Sequence, residues 1–353
     1  MQRFDRILLL KMDHIGDALW SFPTVAALRQ ACPDAWIGML CTPYLAEVYQ
    51  PLDLLSAVIP YDPRADLTVR LNILRQLRRQ SLDLAIVLGP VDKINHLAWL
   101  SGAQKRIGYA YAGNPLHAVT RRLFLTDCQK HPADMALAMG EDLPHEVPSM
   151  LDLLTLAGIA DTKETASKPF PTELAFPVSP MKREAVAEML AELCPGKKRF
   201  AAVHLCAKSF PFGWNERFVD ELVAQLRKLQ PQVGWIVTAG PSERPHLSAF
   251  RQRFGDICLP LVEGLDLVSM AALLANLDCL VSWDTGVVHL ATAVGVPVVD
   301  LFPARDYDYC VQRWGPWSAL SITLPQHEPQ ASSQILVDIV AAVSPLLHSA
   351  DNR

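Results

Sequence analysis

The sequence lacks the glycine-rich loops by which many proteins bind nucleotides. Neither G-x-G-x-x-G nor G-x-x-x-x-G-K-[ST] occurs in its 353 residues, which disfavours an NAD-dependent dehydrogenase and a P-loop NTPase. The eight cysteines are scattered without a C-x-x-C pair, which favours reduced thiols over disulfides or a zinc site. Asp306 and Asp308 have the D-x-D spacing of some metal-dependent transferases, but they fall beyond the last predicted strand. We therefore predict no metal ion and no cofactor.

A surplus of charge and a long apolar run are also missing. The formal net charge is −5, so the chain has no basic character of the kind that nucleic-acid binding requires. No run approaches the ~18 to 20 apolar residues of a membrane span, and the N-terminus does not resemble a signal peptide. These absences predict a cytoplasmic protein that binds no nucleic acid, with peripheral contact at the inner membrane left open.

Short apolar runs alternate with amphipathic segments in both halves of the chain, which predicts parallel sheets flanked by helices. Strands are expected at residues 6–12, 35–41, 57–60, 82–88, 106–109, 200–205, 233–239, 258–261, 279–283 and 298–302. Helices are expected at residues 18–29, 67–80, 145–158, 180–193, 216–229, 244–254, 268–275 and 333–347. Between residues 114 and 143 the pattern assigns no element.

The expected fold is α/β, with two doubly wound domains in series, because the length suits two domains of about 150 to 180 residues each. Residues 160–180 contain several prolines and no sustained hydrophobic period, which is typical of a linker. The predicted divisions are an N-terminal domain at 1–170, a C-terminal domain at 171–330, and a last helix at 331–353 that packs back across the domains.

Residues 280–302 read as strand, turn, helix and strand. In a parallel sheet such a turn leads into a helix N-terminus, where free N–H groups and the helix dipole favour an anion. Asp284, Thr285, Gly286 and His289 fall at this turn, so we expect them to hold a phosphate-bearing ligand. Simpler explanations stay open: Asp284 and Thr285 cap the helix, and His289 is a hydrogen-bonded core residue.

Loops after other predicted strands supply further candidates. Asp17 follows Gly16 after the first strand, and its carboxylate is expected to face a cleft beyond the carboxyl end of that strand. Lys208 is the one charge in the loop after residues 200–205 and suits a phosphate. Glu243, after a later strand, suits a ribose or a base. Simpler explanations stay open here too: Asp17 and Glu243 could each cap the helix that follows, and Lys208 could be a solvated surface residue.

Basic residues are frequent in the first half of the chain. Arg106, Arg121 and Arg122, together with Asp13, are the candidates for binding an anionic acceptor. The arginines at residues 70–79 are explained at least as well by a solvated helix face.

Several motifs occur together in the order that one known family shows. They are Arg6-Ile-Leu-Leu-Leu-Lys, Ile15-Gly-Asp17 with Pro23, Lys105-Arg-Ile-Gly108, His145-Glu-Val, Leu153-Leu154 before Gly158, Trp214 with Phe218, Gly240-Pro-Ser-Glu243, Asp284-Thr-Gly-x-x-His289 and Arg313-Trp-Gly-Pro316. In this set, and nearly from end to end, the chain resembles glycosyltransferase family 9, the ADP-heptose:lipopolysaccharide heptosyltransferases.

The resemblance implies a GT-B fold, in which two Rossmann-like domains face a cleft, with the acceptor on the N-terminal domain and the nucleotide sugar on the C-terminal one. It implies an inverting, metal-independent transfer of heptose from ADP-heptose to an anionic lipopolysaccharide-core acceptor. By position, Asp17 would be the general base for the acceptor hydroxyl. Residues 284–286 and His289 would hold the diphosphate and heptose, and Glu243 would lie near the ribose or adenine.

One position departs from the family pattern. The family usually has a Lys two residues before the Trp that corresponds to Trp214, and this chain has Phe212 there. Lys208, four residues earlier, is the candidate replacement. Two other functions stay open: a non-catalytic nucleotide-sugar-binding or assembly subunit, and a nucleotide-sugar epimerase of the same architecture.

Overall fold

The computed structural model describes residues 3–89, 94–110, 123–159, 172–327 and 333–350, with side chains up to residue 347 in the last range. The chain divides into two compact units, Met1–Leu174 and Ala175–Arg353. Each unit is built on its own parallel sheet of six strands.

The first unit has the strand order β3-β2-β1-β4-β5-β6. Its strands are β1 (Arg6–Lys11), β2 (Trp36–Cys41), β3 (Ala57–Pro60), β4 (Leu84–Val87), β5 (Lys105–Ala110) and β6 (Asp127–Lys130). The helices described in this unit are α1 (Ile15–Trp20), α2 (Phe22–Ala31), α3 (Pro43–Tyr49), α4 (Leu67–Arg79), α5 (Asn95–Leu100), α6 (Pro132–Met139) and α7 (Glu146–Ala157). β1 and β4 are buried along almost their whole length, which explains why the central strands are continuous apolar runs.

The second unit has the strand order β12-β11-β10-β7-β8-β9. Its strands are β7 (Arg199–Leu205), β8 (Val233–Ala239), β9 (Leu261–Glu263), β10 (Cys279–Trp283), β11 (Val298–Pro303) and β12 (Ser321–Gln326). The helices described in this unit are α8 (Pro180–Leu193), α9 (Glu216–Leu229), α10 (Ser248–Ile257), α11 (Leu267–Leu274), α12 (Gly286–Ala293), α13 (Tyr307–Trp314) and α14 (Ser333–Ala350). The last of these, α14, packs within this unit against α9 and strands β10 to β12.

The two sheets share one topology. Numbered within its own unit, each sheet has the order 3-2-1-4-5-6, and all of the strand pairs are parallel. The direction of winding reverses between β1 and β4 in the first unit and between β7 and β10 in the second. Ligands of doubly wound sheets bind beyond the carboxyl ends of the strands at such switch points. The loops after these four strands are therefore where a site is expected.

One expected helix is interrupted. The sequence predicts a single helix at residues 18–29, whereas the structure has α1 and α2 separated at Ser21. Pro23 explains the break, because proline has no backbone N–H to donate and is tolerated in the first turn of a helix. Helix α1 also begins at Ile15, three residues before the expected start, so that Asp17 lies inside its first turn.

Most other differences are elements that the sequence did not predict. β6 and β12 are edge strands without a continuous apolar run, and neither they nor helices α3, α5, α6 and α13 were expected. The strand expected at 258–261 lies at Leu261–Glu263, because Cys258 takes the left-handed conformation (φ 52°) that ends α10. The helix expected at 244–254 is a short 3-10 helix (Pro241–His246) followed by α10.

Candidate functional site

The switch point of the second unit brings two of the predicted residues into contact. Lys208, in the loop after β7, places its Nζ 2.7 Å from the backbone oxygen of Asp284 and 2.8 Å from its Oδ2. The two residues are 76 positions apart in sequence, so the contact depends on β7 and β10 being neighbours in the sheet. The side chain of Lys208 stays 61% exposed, which leaves the ammonium able to reach a ligand as well.

His289 is the third residue of the group around Asp284. Its Nε2 lies 3.7 Å from Oδ1 of Asp284, and the ring is buried on α12. Burial alone would raise the pKa of Asp284, but the His289 ring and the Lys208 ammonium outweigh it and lower that pKa to about 2. Asp284 is therefore ionised throughout the physiological range and holds Lys208 in place.

The N-terminus of α12 is not closed by a capping side chain. Thr285 is the N-cap residue, and it makes no side-chain hydrogen bond to the helix. Its buried Oγ1 has no hydrogen-bond partner within the described parts of the chain. Since Gly286 begins the helix without a side chain, the first N–H groups remain available to an anion. The capping explanation of this turn is thus not what the structure shows.

Glu243 is buried and braces two loops. Its Oε1 accepts a hydrogen bond from the backbone N–H of Ala207 at 3.1 Å, and the hydroxyl of Ser242 lies 2.8 Å from both carboxylate oxygens. A Cβ on Gly240 would lie 2.7 Å from Oε2, so a side chain at this position would have to displace the Glu243 carboxylate. The contact with Ala207 fixes the loop that presents Lys208. A role near the ribose or adenine stays a prediction.

The switch point of the first unit holds the predicted base and a buried ion pair. Lys11 is fully buried at the end of β1, with Nζ 3.0 Å from Oδ2 of Asp13 and 2.9 Å from the backbone oxygen of Leu88. A Cβ on Gly89 would lie 3.0 Å from that same Oδ2, so the approach of β4 to Asp13 favours glycine. Asp17 is half-buried in α1, and its Oδ2 accepts a hydrogen bond from the His14 N–H at 3.3 Å.

Of the three arginines predicted to bind the acceptor, the structure describes only Arg106. The guanidinium of Arg106 donates to the backbone oxygens of Phe124 (2.7 Å), Ala103 (2.8 Å) and Gln104 (3.3 Å). It therefore ties β5 to its flanking loops, and its role in acceptor binding stays a prediction. Arg121 and Arg122 lie outside the described residues.

Two buried ionisable residues were missed by sequence reasoning. Lys11 and Asp300 are each fully buried: Lys11 ends the apolar run of β1, and Asp300 is the single ionisable residue of β11. That pattern was a usable signal, because an ionisable side chain at such a position is costly unless it is paired or neutral.

The resemblance expects a lysine at position 212, but the phenylalanine found there packs against an aromatic ring of the core. Phe212 is buried with its ring centroid 4.2 Å from that of Trp283. The cation next to Asp284 is Lys208, as the sequence suggested.

Among the residues that the structure describes, no group of three or more His, Cys, Asp or Glu is placed to hold a metal ion. In that same part of the chain, no helix combines the length and the apolar character needed to cross a membrane.

Comparison with known proteins identifies what this arrangement is similar to. The family model described as glycosyltransferase family 9 (heptosyltransferase) matches residues 70–339, so Asp17 lies outside the match. The glycosyl transferase family 9 structure from Veillonella parvula is 17% identical, with a TM-score of 0.77, and 98% of each chain is covered.

Two enzymes of Escherichia coli are also similar in structure. ADP-heptose LPS heptosyltransferase II is 19% identical with a TM-score of 0.74, and heptosyltransferase WaaC, solved with ADP, is 16% identical with a TM-score of 0.66. In both comparisons 98% of this chain and 99% of the other are covered. The likeness confirms the expected fold class, two Rossmann-like sheets of the GT-B type.

Proposed function

This chain belongs to glycosyltransferase family 9 and is a glycosyltransferase, and from that premise we propose that it transfers a heptose from ADP-heptose to a lipopolysaccharide-core or related glycan acceptor. The observation that carries the proposal is the contact between Lys208 and Asp284 beside the uncapped N-terminus of α12. A cation, a glycine and free helix N–H groups at a switch point suit a diphosphate.

The adenine nucleotide and the heptose are proposed from the relatives. The solved heptosyltransferase WaaC contains ADP, and the second E. coli relative is named for ADP-heptose. In this chain Lys208 takes the part of the lysine that Phe212 replaces. Because Lys208 and the α12 N-terminus supply positive charge for the departing diphosphate, the transfer does not require a metal ion.

Inversion at the anomeric carbon follows from a single displacement. The acceptor hydroxyl attacks while a carboxylate removes its proton and ADP departs with the electron pair of the broken bond. We assign the proton transfer to Asp17, which stands at the carboxyl end of β1 in the first turn of α1. Asp13 and the arginines at 106, 121 and 122 are assigned to the acceptor, an anionic glycan.

The first test is the unfolding temperature with ADP, ADP-heptose, UDP, GDP or NAD. A ligand at 100 times its dissociation constant stabilises the folded state by ~2.7 kcal/mol, which a melting curve resolves. ADP and ADP-heptose are expected to raise the unfolding temperature, and the other three are not. A rise with UDP or GDP instead would contradict the donor assignment. An unchanged temperature with all five would contradict nucleotide-sugar binding.

Replacement of Lys208 by methionine tests the substitute cation. Hydrogen bonds to charged groups contribute about 1.5 to 3 kcal/mol, so Lys208→Met is expected to weaken ADP binding roughly 10- to 100-fold. Titration calorimetry measures the change, and Lys228→Met on the exposed surface of α9 is the matched control. Equal ADP affinity in the Lys208 variant and wild type would remove Lys208 from the donor site.

A further inference from the structure

A row of polar side chains crosses the second sheet beneath the turn at residues 284–286, which we call the donor turn because the proposed function assigns it to the nucleotide sugar. His204 pairs in register with Thr238 on β8, and Asp300 pairs with Ser282 on β10 and with Thr323 on β12. The pairing of β7 with β10 ends at the residues just before His204 and Ser282, so these two also lie at one level. Residues at one level of a parallel sheet point to the same face. The row therefore spans five neighbouring strands.

This polar row lies on the face that α12 covers. The large apolar cluster of the unit includes Val203, Val281 and Val299, the residues that alternate with the row. Those residues point to the opposite face. Helix α12 packs on β10 and β11 and contributes nothing to that cluster. The row is therefore enclosed between the sheet and the helix whose N-terminus forms the proposed diphosphate site.

Asp300 is the anomalous member of the row. The side chain is fully buried, and neither carboxyl oxygen has a hydrogen-bond partner among the residues that the structure describes. By contrast, Nδ1 of His204 lies 2.9 Å from Oγ1 of Thr238. An ionised carboxylate without partners is too costly to bury. Asp300 is consequently held as the neutral acid.

The neighbouring charges favour that neutral form. Burial raises the pKa of Asp300 well above its usual range, and the negative charge of Asp284 raises it further, against the opposing effects of Lys208 and the Leu301 N–H. Burial lowers the pKa of His204 to about 4, so that ring is neutral too. Two neighbouring carboxyl groups with widely separated pKa values have distinct roles. Asp284 is the anion and Asp300 the acid.

The strand of Asp300 also anchors the donor turn. The backbone N–H of Asp284 donates to the oxygen of Leu301 at 3.1 Å. Loss of the proton from Asp300 would place a second negative charge beside Asp284 and draw Lys208 inwards, away from a diphosphate. Either effect would move Asp284 or Lys208 away from the position that suits a bound diphosphate.

We propose that Asp300 is a positioning residue of the donor site, which binds a nucleoside diphosphate only while Asp300 is protonated. The inference rests on the proposed function of that site. Other titratable groups on the surrounding elements are Asp284, Lys208, His204, His289, Tyr307 and Cys310.

The test measures the dissociation constant of ADP between pH 6.5 and 9.5. If only the protonated state binds, the apparent constant rises about tenfold for each pH unit above the pKa of Asp300. Asp300→Asn cannot ionise and keeps the shape of the acid, so this rise should be absent while affinity at pH 6.5 is retained. Asp256→Asn, on the exposed face of α10, should behave as wild type.

Superimposable profiles for wild type and the Asp300 variant would overturn the proposal while leaving the donor site intact. Absence of ADP binding to wild type at every pH would instead contradict the proposed function.

The protonation of Asp300 is tested separately, by measuring the stability of the protein without ligand as a function of pH. A raised pKa means that the folded protein keeps a proton that the unfolded chain releases, so wild type should lose stability as the pH rises from about 4. Equal loss in Asp300→Asn would overturn the assignment of a buried acid.

Discussion

Asp17→Asn is expected to slow glycosyl transfer by roughly 10²- to 10⁴-fold while leaving the affinity for ADP unchanged, because general-base catalysis contributes a factor of that order. Asparagine keeps the size of the side chain and the oxygen that accepts from the His14 N–H, but it cannot take the proton of the acceptor hydroxyl. Initial rates and ADP titrations on the same preparation separate the two effects. Full turnover by Asp17→Asn would refute the assignment of the base.

Asp13 is the competing carboxylate, and the same assay distinguishes it. Its Oδ2 is already engaged by the Nζ of Lys11 at 3.0 Å in a buried pair, whereas Asp17 is half-buried in the first turn of α1. A loss of transfer in Asp13→Asn with normal turnover in Asp17→Asn would move the base to Asp13. Asp34→Asn, an exposed carboxylate beyond α2, controls for the change in net charge.

The sequence was sufficient for the central strands and for the residues that cluster at the donor turn. Strands such as β8 and β10 are buried on both faces, so they appear as uninterrupted apolar runs with recognisable ends. The turn at Asp284 follows such a strand directly, and α12 follows the turn. Position at the carboxyl end of a parallel strand is thus readable from the chain alone. The contact with Lys208 then follows from strand order.

The edge strands and the partners of buried charges were not predictable in this way. β6 and β12 have one neighbouring strand each, so half-exposed polar residues satisfy them and leave no periodic signal. The interaction of Lys11 with the oxygen of Leu88 joins residues 77 positions apart. Only the pairing of β1 with β4 brings them together. At the turn before α12, the sequence left a helix cap open as an explanation, but the side chain of Thr285 makes no hydrogen bond to the helix that it precedes.

Each switch point contains a buried ionisable side chain, and the two side chains are accommodated in different ways. In the first unit Lys11 is paired with Asp13 and hydrogen-bonded to Leu88. In the second unit Asp300 has no partner in the described residues and is kept neutral. Pairing thus compensates the buried charge of Lys11, whereas burial in the second unit removes the charge of Asp300 itself.

Lys11→Met is expected to destabilise the first unit by about 3 to 5 kcal/mol, because removing one partner of a buried ion pair leaves the other charge without compensation. The side chain of Lys11 is 0% exposed and that of Asp13 is 7% exposed, so water cannot replace the lost ammonium. The free energy of unfolding is obtained from urea denaturation of Lys11→Met, Asp13→Asn and the double variant. Replacing both residues removes the unpaired charge, and the double variant should recover much of the loss.

The expected coupling between the two positions exceeds about 1.5 kcal/mol, the lower end of what buried charge pairs show in double-mutant cycles. The exposed pair Arg3 and Asp5, with side chains 83% and 79% exposed, is the internal reference. Its coupling should lie between 0.2 and about 1 kcal/mol, as for other surface ion pairs. Coupling of Lys11 with Asp13 no larger than that of the surface pair would mean that the buried pair does not act as a unit. The positioning of Asp13 would then have to come from the segment after β4, through the close approach of Gly89.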